Sequence, residues 1–281
     1  GVAFAHAHGV KVYVTANILA HNYDLDGARK YFAELRDMKP EQPDALIISD
    51  PGMFMIAKEV WPQVEVHIST QANNTNYETY LFWWKLGAKR VVSARELSLA
   101  EIKGIREKIP AEMEIESFVH GAMCISYSGR CLLSNFFTGR DANRGACTHP
   151  CRWKYAVVEE TRPGEYLPVY ENERGTYIFN SKDLCMIEHI PELVGAGIDS
   201  LKIEGRRHCM WLPLPELIGR LLMTILPIRI CMRKIWTGIR RKFPNVLTDS
   251  LRQDSISASR MRTPRSMITT LMSMSTFTWE L

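Results

Sequence analysis

The chain has 281 residues, 46% of them hydrophobic, and a formal net charge of +4, a composition that supports a buried core and excludes a largely disordered protein. No apolar run approaches the roughly 20 residues that cross a bilayer, and no basic start leads through an apolar stretch to a small-residue cleavage site, so a cytoplasmic protein without membrane contact is expected. The charge is uneven: residues 209–281 hold 11 Lys and Arg against 4 Asp and Glu, whereas residues 1–208 hold 24 against 27.

The opening GVAFAHAHGV reads as the last turns of a helix already under way, so a further N-terminal portion is expected to precede it. Residues 11–15 (KVYVT) predict a strand, and residues 25–38 follow with helical periodicity behind Asp24 as N-cap. The same alternation recurs with strands at 45–49, 65–70 and 90–93 and helices at 52–60, 76–86 and 98–108. In the last of these, Ser98 and Glu101 form a capping-box pair. Residues 113–119 (MEIESFV) and 200–204 (SLKIE) predict two more strands.

Strand and helix alternating every 20 to 30 residues or so is the pattern of a parallel sheet with covering helices. A (β/α)8 TIM-barrel-like fold, incomplete at the N-terminus, is the first expectation; a doubly wound sheet lacks its G-x-G-x-x-G after an early strand. In a barrel the residues following each strand line the active face: Asn17, Ser49 with Asp50, Thr70 with Gln71, Ser93 with Arg95 and Glu96, His120, and Glu204. Lys202 and Glu204 alternate to one face and are expected as a charged pair at the barrel mouth.

After Arg207 the rhythm stops. The remainder holds 7 of the 13 methionines and no tyrosine. Residues 1–207 are therefore expected to form the barrel-like domain with cysteine-rich loops, and 208–281 an aberrant, low-order basic tail of the kind a reading-frame shift produces.

Four cysteines, Cys124, Cys131, Cys147 and Cys151, fall within twenty-eight residues, and Cys185 follows in a polar turn. Seven cysteines in a cytosolic chain point to reduced thiols or metal ligands more than to disulfides. Four thiolates satisfy a 4Fe-4S cluster or a tetrahedral zinc ion equally well; the tight C-x2-C pairs of zinc ribbons are missing, which favours the cluster. Cys209 and Cys231 belong to the tail and receive no role. His120 lies four residues before Cys124, but nucleophile and base normally meet through the fold and not along the chain. Neither H-E-x-x-H nor G-x-S-x-G occurs, so zinc and serine proteases lack their usual parts.

The run from Glu116 to Ser134, E-x-F-x-x-G-A-M-C-x-x-x-x-G-x-C-x-L-S, resembles the signature of the peptidase U32 family, the collagenase-like proteases. GRDANRGACTHPCRWKY at 139–155, NSKDLC at 180–185 and LKIEGR at 201–206 extend the resemblance over residues 1–207. It implies an iron-sulfur protein that hydroxylates RNA bases, foremost the wobble uridine of tRNA, with a 4Fe-4S cluster held by Cys124, Cys131, Cys147 and Cys185, and Cys151 as the alternative third ligand. It also implies prephenate as a metabolic requirement.

The competing expectations are a collagenase-like peptidase acting on peptides, and a non-catalytic partner subunit of a homologous U32 chain. Catalytic candidates are His120, Asp183 and Glu204. Arg130, Arg144, Arg152 and Lys154 surround the cysteines with Arg140, Trp153 and Tyr155, and basic groups interleaved with aromatic rings suit an RNA loop with unstacked bases.

Overall fold

The computed structural model describes residues 1–153 and 183–204 continuously, with residues 156–158, 161, 163–164, 166–168, 171–172, 175–176 and 276–280. The chain runs α1 (Val2–His6), β1 (Tyr13–Ala16), α2 (Asn22–Asp37), β2 (Ala45–Ile48), α3 (Pro51–Val60) and β3 (Glu65–Ile68). It continues through α4 (Tyr77–Lys85), β4 (Arg90–Val92), α5 (Leu99–Arg106) and β5 (Glu114–Ala122). Beyond β5 come α6 (Leu133–Thr138) and four short strands, β6 (Ala156–Val158), β7 (Tyr166–Pro168), β8 (Glu171–Asn172) and β9 (Gly175–Thr176). Then follow β10 (Asp183–Cys185), α7 (Ile190–Gly195), β11 (Ser200–Glu204) and β12 (Thr276–Glu280). Of the expected tail, only 276–280 is described, and β12 pairs antiparallel with the whole of β11.

The helices begin where side chains satisfy their first N–H groups. Asp50 accepts from the Met53 N–H with Pro51 at the first helical position, and Asn76 accepts from the Thr79 N–H. Ser98 and Glu101 close the expected capping box of α5. Asp24 is not the N-cap of α2. The helix starts at Asn22, ahead of its first apolar residue, so His21 takes the cap position and the Asp24 carboxylate accepts the His21 N–H at 2.9 Å.

The sheet runs β1-β2-β3-β4-β5-β11-β12, and its first six strands are mutually parallel. Chain order and sheet order coincide along these six, without the reversal that a doubly wound sheet requires. The fold is therefore α/β with a parallel sheet curled into a half-barrel. This is consistent with the expected barrel-like fold that is incomplete: among the described residues six parallel strands do not complete a circle, and β1 and β12 end the path.

Side chains meet across the inner face: the Arg90 guanidinium of β4 sits 5.6 Å from the Tyr13 ring centroid of β1, and Tyr13 meets His67 of β3 edge-on at 4.6 Å. The outer face is apolar: Leu46, Ile48, Val66, Ile68, Val91, Ile115, Leu201 and Ile203 pack beneath Phe32, Phe54, Tyr80, Ile105 and Leu193 of the helices in one core.

The inner face carries charge instead. Arg90 and Glu116 are 2% and 1% exposed, and Glu116 accepts from Lys202 Nζ at 2.8 Å, Ser200 Oγ at 3.0 Å and Arg90 at 3.2 Å. Arg90 also binds Glu114 at 2.5 Å. Burial pushes the Glu116 carboxyl upward, yet the Lys202 ammonium and Arg90 guanidinium outweigh it and hold the pKa below the usual range. Lys202 thus pairs with Glu116 and not, as expected, with Glu204. Their shared face offers two opposite charges, and the deeper of them, Glu116, takes the lysine.

Removing one member of a buried ion pair strands the other, at a cost of about 3–5 kcal/mol. Lys202→Met is therefore expected to lower unfolding free energy in urea by that amount, with Lys202→Met/Glu116→Leu recovering most of it while Arg90 keeps Glu114.

His67 is wholly buried, with Nε2 at 2.8 Å from Glu65 and Nδ1 without a partner. Burial lowers its pKa, opposed by the Glu65 hydrogen bond. The unfolded chain therefore takes up this proton first as pH falls, and stability is lost below about pH 6.5. The urea midpoint is expected to drop more steeply between about pH 7.5 and 5.5 in the native chain than in His67→Gln.

Candidate functional site at the mouth of the half-barrel

The C-terminal strand ends make a polar rim. Asn17 Nδ2 donates to Ser69 Oγ at 3.2 Å, across β2, where the Ser49 hydroxyl is buried without a partner. Two of the expected rim residues serve the scaffold: Asp50 caps α3, and Ser93 Oγ donates to Ser117 at 3.0 Å. Glu96 is exposed. Gln71, Arg95 and Glu204 instead meet the segment that carries the cysteines.

Arg95 is central to that contact. Its guanidinium, 6% exposed, lies 3.9 Å from the Phe118 ring centroid, donates to Ser128 Oγ at 2.5 Å and binds the Glu204 carboxylate. Two asparagines complete the attachment. Asn73, in the left-handed conformation at φ 56°, donates to the Ser128 carbonyl at 3.2 Å and accepts from Arg130 Nε at 2.8 Å. Asn143 accepts the Leu19 N–H at 2.9 Å and donates to Gln71 Oε1 at 3.2 Å. Gly129 lies so close to the Gln71 side chain that a Cβ there would collide with it, and its φ of +75° favours glycine as well.

β5 outruns β4, and its overhang pairs antiparallel with β10: Ala122 opposite Asp183, Gly121 opposite Leu184, His120 opposite Cys185. Residues 123–182 therefore leave and re-enter the sheet at one point. Gly121, at φ +150°, packs so tightly that a Cβ would stand 2.9 Å from Glu204 Cβ.

The five cysteines of this region are free thiols; Cys124 and Cys185 are exposed and Cys151 is buried. Although Cys124 as a residue reaches solvent, the atoms packed around its sulfur desolvate the thiol and raise its pKa; the Arg95 cation opposes this, while Glu204, Cys151 and Cys147 add to it. Cys151 is raised by burial, then by Cys147 and Cys131. Cys151 and Cys147 thus influence Cys124, Cys147 and Cys131 influence Cys151, and Cys185 stands on β10 opposite His120. The Cys147 sulfur accepts the His149 N–H at 3.4 Å.

A donor set of thiols matches a soft metal or an iron-sulfur cluster in type. Among the described residues, no three Cys, His, Asp or Glu side chains already stand in a metal-holding arrangement. The thiols fit such a group by the chemistry of their donor atoms.

Of the catalytic candidates, His120 lies within β5, between β10 and β11, and its Nδ1 is buried without a partner. Glu204 ends β11 on Arg95, and Asp183 opens β10 opposite Ala122. Of the proposed substrate-binding residues, Arg130 is exposed and held by Asn73, and Arg152 is partly exposed beside Cys151. Arg144 is bound to Asp24 at 2.7 Å and to the Tyr23 hydroxyl at 3.0 Å. Lys154 and Tyr155 lie outside the described residues. Asn73, Ser128 and Asn143 were not singled out from the sequence; the only signal was a D-x-N-x-G turn at 141–145 and paired asparagines at 73–74.

Fold and site define a parallel α/β half-barrel whose mouth is roofed by a cysteine-bearing excursion. The chain belongs to peptidase family U32, whose family model matches residues 1–210. It is 45% identical to tRNA hydroxylation protein P of Escherichia coli and 47% identical to tRNA hydroxylation protein P1 of Bacillus subtilis; each alignment takes in 73% of this chain. A 23S rRNA 5-hydroxycytidine synthase of Escherichia coli is 36% identical over 73% of this chain and 29% of its own length. The chain spans about half the length of the tRNA hydroxylation relatives, 53% and 47%.

Asn143→Ala removes both ties to the rim and strands the Leu19 N–H, a loss of about 1–3 kcal/mol. Limited proteolysis is expected to nick residues 123–153 faster in this variant, while the barrel core retains its circular dichroism.

Proposed function

We propose that this chain takes part in RNA base hydroxylation, with the wobble uridine of tRNA as substrate and 5-hydroxyuridine as product. One observation carries the reading: the region shared with two tRNA hydroxylation proteins at 45% and 47% identity contains the thiols gathered at the barrel mouth. In the proposal, Cys124, Cys131, Cys147 and Cys185 hold a 4Fe-4S cluster, with Cys151 as the alternative to Cys147; zinc is the lesser alternative. Such a cluster supplies electron transfer when bound. The Arg95–Glu204 pair and the Asn73 and Asn143 ties hold the cysteine segment over the rim. Arg130 and Arg152 present positive charge to the RNA backbone.

The proposal carries prephenate as a metabolic requirement, a cytoplasmic location and a homologous U32 chain as a possible companion subunit. No helix among the described residues is long and apolar enough to cross a membrane. The peptidase alternative needs an activated nucleophile, and the unpartnered Nδ1 of His120 is not engaged with any thiol.

Anaerobic purification with iron and sulfide analysis tests the cluster. Stoichiometric iron is expected, together with its loss in Cys124→Ser and Cys131→Ser. Comparing Cys147→Ser, Cys151→Ser and Cys185→Ser then identifies the remaining ligands, and a colourless iron-free protein refutes the cluster. For the substrate, mass spectrometry of tRNA nucleosides from a strain lacking this protein is expected to show loss of 5-hydroxyuridine derivatives. Unchanged levels there refute the tRNA assignment.

A further inference from the structure

The cysteine excursion exposes large apolar side chains. Phe136 is 81% exposed and Leu132 76%; Phe137, Trp153 and Tyr127 are each close to half exposed. Phe136 and Phe137 meet edge to face, centroids 5.2 Å apart at 79°, and Trp153 is tilted at 52° to Phe137 at 5.9 Å, so the three rings present faces in different directions. Apolar surface clustered in this way marks a binding face.

The surroundings select the occupant. Residues 123–153 carry four arginines, Arg130, Arg140, Arg144 and Arg152, against a single carboxylate, Asp141. Asp24 engages Arg144, whereas Arg130 and Arg140 are exposed. Exposed aromatic rings in a segment with surplus arginines match a single-stranded nucleic acid: bases stack on rings and phosphates meet guanidinium groups. The rings also follow directly from the cysteines, since α6 begins two residues after Cys131 and Trp153 stands two residues after Cys151.

We propose that Phe136, Phe137 and Trp153 form a stacking platform for unpaired bases next to the target nucleotide, with Arg130 and Arg140 on the intervening phosphates. This rests on the RNA reading above and assigns it a surface. The platform reads strandedness and not sequence, because every base presents a π-face. Duplex RNA keeps its bases stacked internally and does not use it.

The test uses fluorescence anisotropy with the full chain, a labelled RNA hairpin bearing a single-stranded loop, and a duplex of matched length. Phe136→Ala is expected to weaken hairpin binding about 5- to 100-fold and to leave duplex binding and the salt dependence unchanged. Phe136→Tyr is expected to restore affinity. Arg140→Ala is expected to reduce the salt slope by about 0.7 on a logarithmic scale. Both phenylalanine variants change a surface residue, and circular dichroism with a urea midpoint verifies their fold. Unaltered hairpin affinity in Phe136→Ala, with binding by the native chain intact, overturns the platform and leaves the RNA reading standing. Unaltered affinity accompanied by a change in sedimentation assigns the rings to a protein interface and also overturns it. A native chain that binds neither RNA removes the reading together with the platform.

Discussion

A single buried carboxylate ties the half-barrel together on its inner side. Glu116 stands on β5 and receives hydrogen bonds from β4 through Arg90 and from β11 through Lys202 and Ser200. Outside, apolar side chains and helices drive burial without regard to direction. Inside, the charges require partners at defined distances, because an unpaired ion there costs several kcal/mol. The register of β4, β5 and β11 follows from that requirement, and so do the positions of the strand ends that carry Arg95, His120 and Glu204.

The rim inherits this order. Arg95 stands three residues beyond the end of β4 and reaches Glu204 at the end of β11, using Phe118 of β5 as a floor. The bond from Arg95 to Ser128 then transmits the register of three strands to a segment with little regular structure of its own. Asn73 and Asn143 repeat the device from β3 and β1. The segment that carries the thiols is thus held by polar contacts at loop positions, with the barrel as the reference frame.

Much of this was legible in the chain, for identifiable reasons. Runs such as ALII at 45–48 and EVHI at 65–68 alternate with amphipathic helices, so the strands of the parallel sheet were found to within a few residues. The cysteines announced a site by density alone. The inner charge layer was not legible: Arg90, Glu114, Glu116 and Lys202 look like the solvated residues of a half-exposed strand, and only curvature turns that face inward. β10 was invisible for another reason. DLC is three residues with no periodicity, and it becomes a strand because the overhang of β5 offers unpaired backbone. Asp24 and Lys202 were assigned partners from local spacing, and in both cases a competing group nearby took the role.

The β5–β10 ladder has a thermodynamic consequence. Residues 123–182 begin and end against each other, so the barrel itself closes this loop, whatever its contents. Lengthening such a loop is cheap, about 0.6 kcal/mol for each doubling. The exposed rings of the excursion can therefore be rebuilt without altering the β5–β10 ladder, whereas Ser128, Asn143 and Arg144 are held by their ties to the barrel.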